Sequence, residues 1–339
     1  MTSLPEPRGD LSHAVFARLR RPPGALGPLP AFQGPFLAGD DLHLTLFLLQ
    51  ELSYGGFDDV QDDWECEPTL MALRNALETA FADALRQELG AIVAPAPADV
   101  SEWLVELSRA PGPPLSRFLA REATAEQFRE FVIHRSAYTL KEADPHTFAI
   151  PRLRGRAKAA LVEIQADEYG GGRVEDMHAE IFAATMRALE LDDTPNAYLD
   201  RIPGSTLATV NLVGMFGGRR RWRGAAAGHL ALFELTSSIP NRAYGNGLRR
   251  MGFGEDATHY YDEHVEADSV HDMIAAYDLV GALVREEPGL TGDVVFGASA
   301  LELLERRFAT VLLDAWGQRC SSLLPSGAVA AVSSSSVSS

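Results

Sequence analysis

His264, Asp268 and His271 stand in the segment EHVEADSVHD at the spacing i, i+4 and i+7. On an α-helix those positions fall on one narrow stripe, so two imidazoles and a carboxylate face the same way. Such a trio can hold a first-row transition metal. Glu142, Glu168, His178 and Glu234 lie in other segments of helix-forming composition, each placed to turn one donor inward. Together the seven residues make one metal site built from carboxylates and imidazoles.

Singly, each has a plainer reading. A Glu on a helix is ordinarily solvated, so Glu142 alone carries little weight. Glu168 could equally end a helix before Gly170-Gly171-Gly172, and a lone histidine such as His178 is more often a surface or satisfied core residue. Glu234 stands out because Leu230, Ala231 and Leu235 surround it in GHLALFELTSS. A buried acid there is costly unless it is paired or metal-bound. The spacing also leaves a competition open. Glu175-x2-His178 matches the Glu-x-x-His of ferritin-like di-iron bundles, and Asp268-x2-His271 resembles it. Glu168 and His178 are about 80° off a common face in an unbroken helix, so only the glycine break could align them.

The elements that must position these residues are helical. Ala, Leu, Glu and Arg dominate long segments, and alternating β-branched runs are scarce. Helices are expected near 41–53, 68–90, 99–109 and 115–121, with Pro/Gly-rich breaks at 22–35, 92–98 and 111–114. Four longer segments carry the candidate ligands. Segment 125–143 holds Glu142 and stops before Pro145. Segment 154–190 holds Glu168 and His178 on either side of the glycines. Segment 222–239 holds Glu234 and is expected to stop at Pro240. Segment 255–285 holds the histidine stripe and stops near Pro288.

The 339-residue sequence carries 47 acidic against 30 basic residues, a net charge of −17. No basic face is left to neutralise phosphates, which argues against nucleic-acid or anionic-membrane partners. Cys66 and Cys320 are too few and too far apart for a disulfide framework or a thiolate metal site, and a reducing cytoplasm fits. MTSLPEPRGD has no signal-peptide pattern, and LTLFLLQEL is too short to span a bilayer. The expected location is cytoplasmic.

Four long stretches carry a resemblance: KEADPHTFAIPRLRGRAKAALVEIQADEYGGG, MHAEIFAATM, NLVGMFGGRRRWRGAAAGHLALFELTSSIPNR and YYDEHVEADSVH. In this order they resemble the haem-oxygenase-like di-iron oxidases, also called iron-containing redox enzymes. The resemblance covers roughly residues 125–316. It implies an all-α, haem-oxygenase-like seven-helix bundle with additional N-terminal helices. Residues 1–120 would form an accessory or dimerisation region, 121–320 the oxidase domain and 321–339 a disordered tail. The family pattern places ligands at Glu142, Glu168, His178, Glu234, His264, Asp268 and His271, favouring Glu168 over Glu175.

Those ligands match two Fe(II) per protomer, because four carboxylates balance four positive charges and the loaded site can be buried. Seven ligands over two irons leave positions for O2 and substrate. The resemblance implies O2 as cosubstrate, a possible external electron donor and a homodimer. The expected substrate is a small free amino acid or amine in natural-product biosynthesis. It would be N-oxygenated, or cleaved at C–H toward desaturation, C–N cyclisation or fragmentation. A ferritin-like ferroxidase and a decarboxylating fatty-acid oxidase are the alternatives. A haem pocket fits poorly with four inward carboxylates. Arg152, Arg156, Lys158 and Arg242 are the candidate anchors for a substrate carboxylate.

Overall fold

The structure, a computed structural model, describes residues 2–32 and 34–325; the side chains of 267–270 lie outside that description. It begins with α1 (Asp10–Leu19), α2 (Asp40–Glu51), α3 (Pro68–Leu89), α4 (Val100–Ser108) and α5 (Leu115–Arg121). Then come α6 (Ala125–Thr139), the short α7 (Asp144–Thr147), α8 (Gly155–Glu168), α9 (His178–Ala188) and α10 (Gly204–Gly218). Next follow α11 (Arg223–Arg250), α12 (Glu255–Met273), α13 (Gly281–Glu286) and α14 (Thr291–Gly317). Among the described residues there is no β-strand, only an isolated antiparallel bridge between Tyr169 and Met177.

Local chemistry sets several helix starts. Pro68 occupies the first turn of α3, where its missing N–H costs nothing, and the Glu67 carboxylate accepts from the Leu70 N–H at 2.7 Å. Thr124 and Gln127 cap α6 reciprocally, each side chain accepting from the other's backbone N–H.

Pro240 does not end its helix as the sequence suggests, because α11 runs through it to Arg250. The proline removes one backbone donor. Nearby, the Thr236 and Ser237 hydroxyls donate to the Leu232 and Glu234 carbonyls at 2.7 and 3.1 Å, bonds that accommodate a bend. Beyond the proline, Gly247 and Leu248 are buried, and a Cβ at Gly247 would stand 2.5 Å from the Leu119 carbonyl oxygen. Tertiary packing thus outweighs the local break. The segment after α12 also departs from plain α-helix. Ile274–Val280 forms a π-helix, and the Ser101 hydroxyl donates to the Ala276 carbonyl there at 2.7 Å.

The packing centre is α11 against α14. A Cβ at Gly228 would lie 2.1 Å from the Val294 carbonyl oxygen, and one at Gly297 would lie 2.1 Å from that of Ala225. Only glycine lets the two backbones approach so closely. The N-terminal helices share this core: Leu42, Leu44 and Leu48 of α2 join Leu207, Leu212 and Phe216 of α10 in one apolar cluster. A second cluster gathers Phe128, Phe131, Phe182, Tyr260, Tyr261 and Phe308. Of the expected disordered tail, residues 326–339 lie outside the described residues. Residues 321–325 are docked: the Ser322 hydroxyl donates to Glu130 at 2.7 Å and the Leu324 N–H to the Arg201 carbonyl at 2.8 Å.

Candidate metal centre

The turn after α6 carries Glu142, buried at 6 % exposure. The helix α8 ends on Glu168, and α9 starts on His178. Between them Gly170, Gly171 and Gly172 take φ of 62°, 59° and 87°, and a Cβ on Gly170 would meet the Asp176 carbonyl carbon at 2.6 Å. This left-handed turn folds Tyr169 back against Met177 and brings Glu168 Oε2 within 2.9 Å of His178 Nδ1. Glu175 remains exposed in the loop and joins no donor cluster. Glu234 from α11 and His264 and His271 from α12 are buried.

Two groups of donors result. Glu142, Glu168, His178 and His264 form one; Glu168, Glu234 and His271 form the other. Within each, one donor atom per residue lies within 4.8 Å of all the others. Glu168 belongs to both. The structure therefore gathers six of the seven expected residues. The side chain of the seventh, Asp268, lies outside the described residues, on α12 between the two histidines.

Unpaired atoms mark what the site lacks. Glu168 Oε2 and His178 Nδ1 have only each other, 2.9 Å apart, and His271 Nδ1 is buried without a hydrogen-bond partner. A buried orphan such as His271 Nδ1 costs about 1–3 kcal/mol, and together with the Glu168–His178 pair it fits a cation that all three could ligate. The opposite ring nitrogens are already held. His264 Nδ1–H donates to the Tyr260 carbonyl at 2.9 Å, which leaves Nε2 as the lone-pair nitrogen, 3.7 Å from Glu142 Oε1. His271 Nε2–H donates to Asp167 at 2.8 Å, which leaves Nδ1 inward, 3.8 Å from Glu234 Oε2. Fixing the outer nitrogen selects the tautomer that can bind metal. The Tyr260 hydroxyl in turn donates to Glu142 at 2.9 and 3.2 Å.

The electrostatics agree. Burial works against a charge on His178, yet Glu168 and then Glu142 overcome it and raise its pKa to about 9. Burial pushes Glu168 up, but His178, His264 and His271 together hold it below the usual carboxylate range. Burial, reinforced by the neighbouring His178, lowers His264 to about 4. The anionic pocket therefore takes up a proton on one ligand, and a cation can replace it.

Sequence reasoning missed the supporting residues. Tyr260 lies one helical turn before His264, and Asp167 directly precedes Glu168, but neither spacing distinguishes them from solvated neighbours. His146 and His229, buried with Nε2 and Nδ1 3.2 Å apart, were also missed. Of the expected anchors, Arg152 donates to the Gly217 and Gly218 carbonyls, Arg156 pairs with Asp278, Arg242 is exposed and Lys158 is half-buried. None of the four lines the cavity of 320 Å³ that opens beside Glu142 and His264. Its wall includes Phe131, Arg135, Tyr138, Phe182, Phe233 and Tyr260.

Residues 129–306 match the family described as iron-containing redox enzymes. No curated protein matches this sequence. Among solved structures, the fold is similar to a CADD-like protein of unknown function from Nostoc punctiforme, with a TM-score of 0.50 and 14 % identity. That likeness covers 63 % of this protein and 96 % of the other, and at such identity it concerns the fold alone. No described helix is long and apolar enough to cross a membrane.

Proposed function

The protein belongs to the iron-containing redox enzyme family, in an all-α haem-oxygenase-like fold, and from that premise we propose that it is a non-haem di-iron oxidase. It would use O2 to oxidise a small free amino acid or amine. The observation that carries this reading is the sharing of Glu168 between two buried donor groups of carboxylates and imidazoles. Glu142, Glu168, His178 and His264 would hold one iron, and Glu168, Glu234 and His271 the other, with Asp268 as the remaining expected ligand. Two bound Fe(II) ions would supply electrons and open positions for O2.

The protein's own residues do the rest. Tyr260 fixes the Glu142 carboxylate, and Asp167 and the Tyr260 carbonyl fix the two α12 histidines. Phe131, Tyr138, Phe182, Phe233 and Tyr260 give the cavity aromatic surface against which an apolar part of a substrate would pack. The electron balance requires a donor. Inserting one oxygen atom into a C–H or N–H bond while the other leaves as water consumes two further electrons and two protons. Desaturation with both oxygen atoms leaving as water consumes the same. A reductant outside the protein supplies them.

A cavity of 320 Å³ touching Glu142 and His264 speaks against a protein that only oxidises and stores iron. The test is anaerobic Fe(II) loading, metal analysis and Mössbauer spectroscopy, followed by O2 and an amino-acid panel with mass spectrometry. Two irons per protomer in one exchange-coupled pair are expected. Saturation at a single uncoupled iron sinks the proposal.

A further inference from the structure

We propose that the Arg135–Glu305 pair holds the head of a zwitterionic amino acid whose large apolar side chain extends along the cavity to Glu142 and His264. This rests on the oxidase reading above and adds the substrate's size, its anchor and the atoms presented for oxidation.

Arg135 and Glu305 line the cavity and pair through two parallel hydrogen bonds, Nη1 to Oε1 at 2.9 Å and Nη2 to Oε2 at 2.6 Å. The guanidinium also lies over the Phe308 ring, 4.3 Å from its centroid, and within 5.7 Å of that of Phe131. One more polar group stands on the same wall. Asn241, 9 % exposed, makes no side-chain hydrogen bond among the described residues. Asn241 thus leaves an amide on a wall that also carries Ser116, Thr236 and the Glu302–Arg306 pair, so polar groups gather at the Arg135 end of the cavity.

Charge decides which ligand. A lone carboxylate, such as a fatty acid, would have to share or take the guanidinium from Glu305 and leave two anions against one cation. A zwitterion leaves no charge unmatched, because its carboxylate takes an edge of Arg135 and its ammonium takes Glu305. Length decides which amino acid. Arg135 lies on α6 and Glu142 in the turn beyond its end at Thr139, and both line the cavity with Tyr138 between them in sequence. Arg135 leans the other way, toward Phe131 one turn earlier, which lengthens the path. A substrate held at Arg135 and reaching Glu142 and His264 extends along the cavity wall, which an aromatic or long aliphatic side chain can do and a methyl group cannot. The volume of 320 Å³ falls within the usual range for small-molecule sites, above what the smallest amino acids fill. With the ammonium held at Glu305, the group facing the metal ligands is a C–H bond of the substrate's apolar portion and not the amine.

The experiment separates binding from turnover. Calorimetry on the Fe(II)-loaded full-length protein, without O2, compares L-phenylalanine, L-methionine, L-alanine, N-acetyl-L-phenylalanine, 3-phenylpropanoate and decanoate. One or both of the two larger amino acids should bind, with alanine, the N-acetyl form and the two simple acids about tenfold or more weaker. Glu305→Gln, which preserves shape, and Arg135→Met should each weaken the amino acid about tenfold to a hundredfold while two irons still load. Mass spectrometry after O2 should place the change in the side chain. Decanoate or 3-phenylpropanoate binding as tightly as the amino acids overturns the proposal. So does unchanged affinity in correctly folded Glu305→Gln and Arg135→Met, the absence of binding by either larger amino acid, or a product oxygenated at nitrogen. Binding as described in a protein without a coupled iron pair leaves this site standing and defeats the oxidase reading instead.

Discussion

The helices α11 and α12 both deliver donors to the centre, yet they are held by opposite means. The first half of α11 reads AAAGHLAL, and all of Ala225–Leu232 is buried. It lies so close to α14 that Gly228 has no room for a Cβ. It contributes a single described donor, Glu234. The sequence of α12, EDATHYYDEHVEADSVHDM, offers only Ala257, Tyr260 and Tyr261 as buried apolar anchors among its described side chains. It contributes His264 and His271, and it runs into a π-helix. Burial of about 25 cal/mol per Å² holds α11 whether or not a cation is present. The inward residues of α12 face Glu142, Glu168 and Glu234, so its docking depends on what neutralises them. On this contrast α11 is expected to stay docked without metal and α12 to tighten on loading.

The largest expected effect comes from the residue that joins the two halves. Glu168→Ala removes a donor from both groups at once and should abolish the iron pair and turnover, whereas Glu175→Ala should leave both within a few-fold. Iron content and O2 uptake of the two variants measure this. A dead Glu175→Ala with a working Glu168→Ala would return the ligand role to the Glu-x-x-His pattern.

Next in size is the coupling of α12 to metal. Hydrogen exchange should show residues 255–275 gaining strong protection on Fe(II) loading, while 223–239 stays equally protected with and without iron. Structural metal sites contribute folding free energy directly, and a helix with so few apolar anchors has little else to draw on. Equal protection of 255–275 in the two states would refute the coupling without touching the ligand assignment.

That contrast was partly legible beforehand, and the limits are instructive. The starts of α3 and α6 carry their own signals, Pro68 and the Thr124–Gln127 box, and structure follows them. The stripe of His264 and His271 needed only helical periodicity. Helix α10, GSTLATVNLVGMFGG, is buried almost all round, so no apolar stripe announces it. Pro240 misled because α11 is fixed by contacts distant in sequence. For the same reason Arg135 escaped notice while four other basic residues drew attention. Whether a cation lines a cavity depends on the packing of α6, α11 and α14, and no local spacing records it. The glycine turn lies between these cases. Its composition signals a break, but the approach of Glu168 to His178 follows only once Gly170 packs against Asp176.

The smallest expected effect sharpens the comparison most, because Tyr260 serves α12 both as a packing anchor and as support for a ligand. Its ring packs edge-on against Phe182, with centroids 5.0 Å apart, and its carbonyl fixes the His264 tautomer. Tyr260→Phe keeps the ring and the carbonyl and deletes only the hydroxyl that donates to Glu142. If α12 were held by packing alone, this change would be silent. If the hydroxyl pre-orients Glu142, the carboxylate must be ordered at the moment of loading, and affinity should fall about tenfold, the lower end for loss of a ligand's supporting hydrogen bond. A net loss of roughly 1 kcal/mol for one hydrogen bond agrees in order of magnitude. Competitive titration of Fe(II) against a chelator, wild type beside variant, reads the difference. The predicted pattern is a weaker first iron with an unchanged final stoichiometry of two. An identical titration curve would show that Tyr260 is only an apolar anchor and that Glu142 is positioned by the turn after α6.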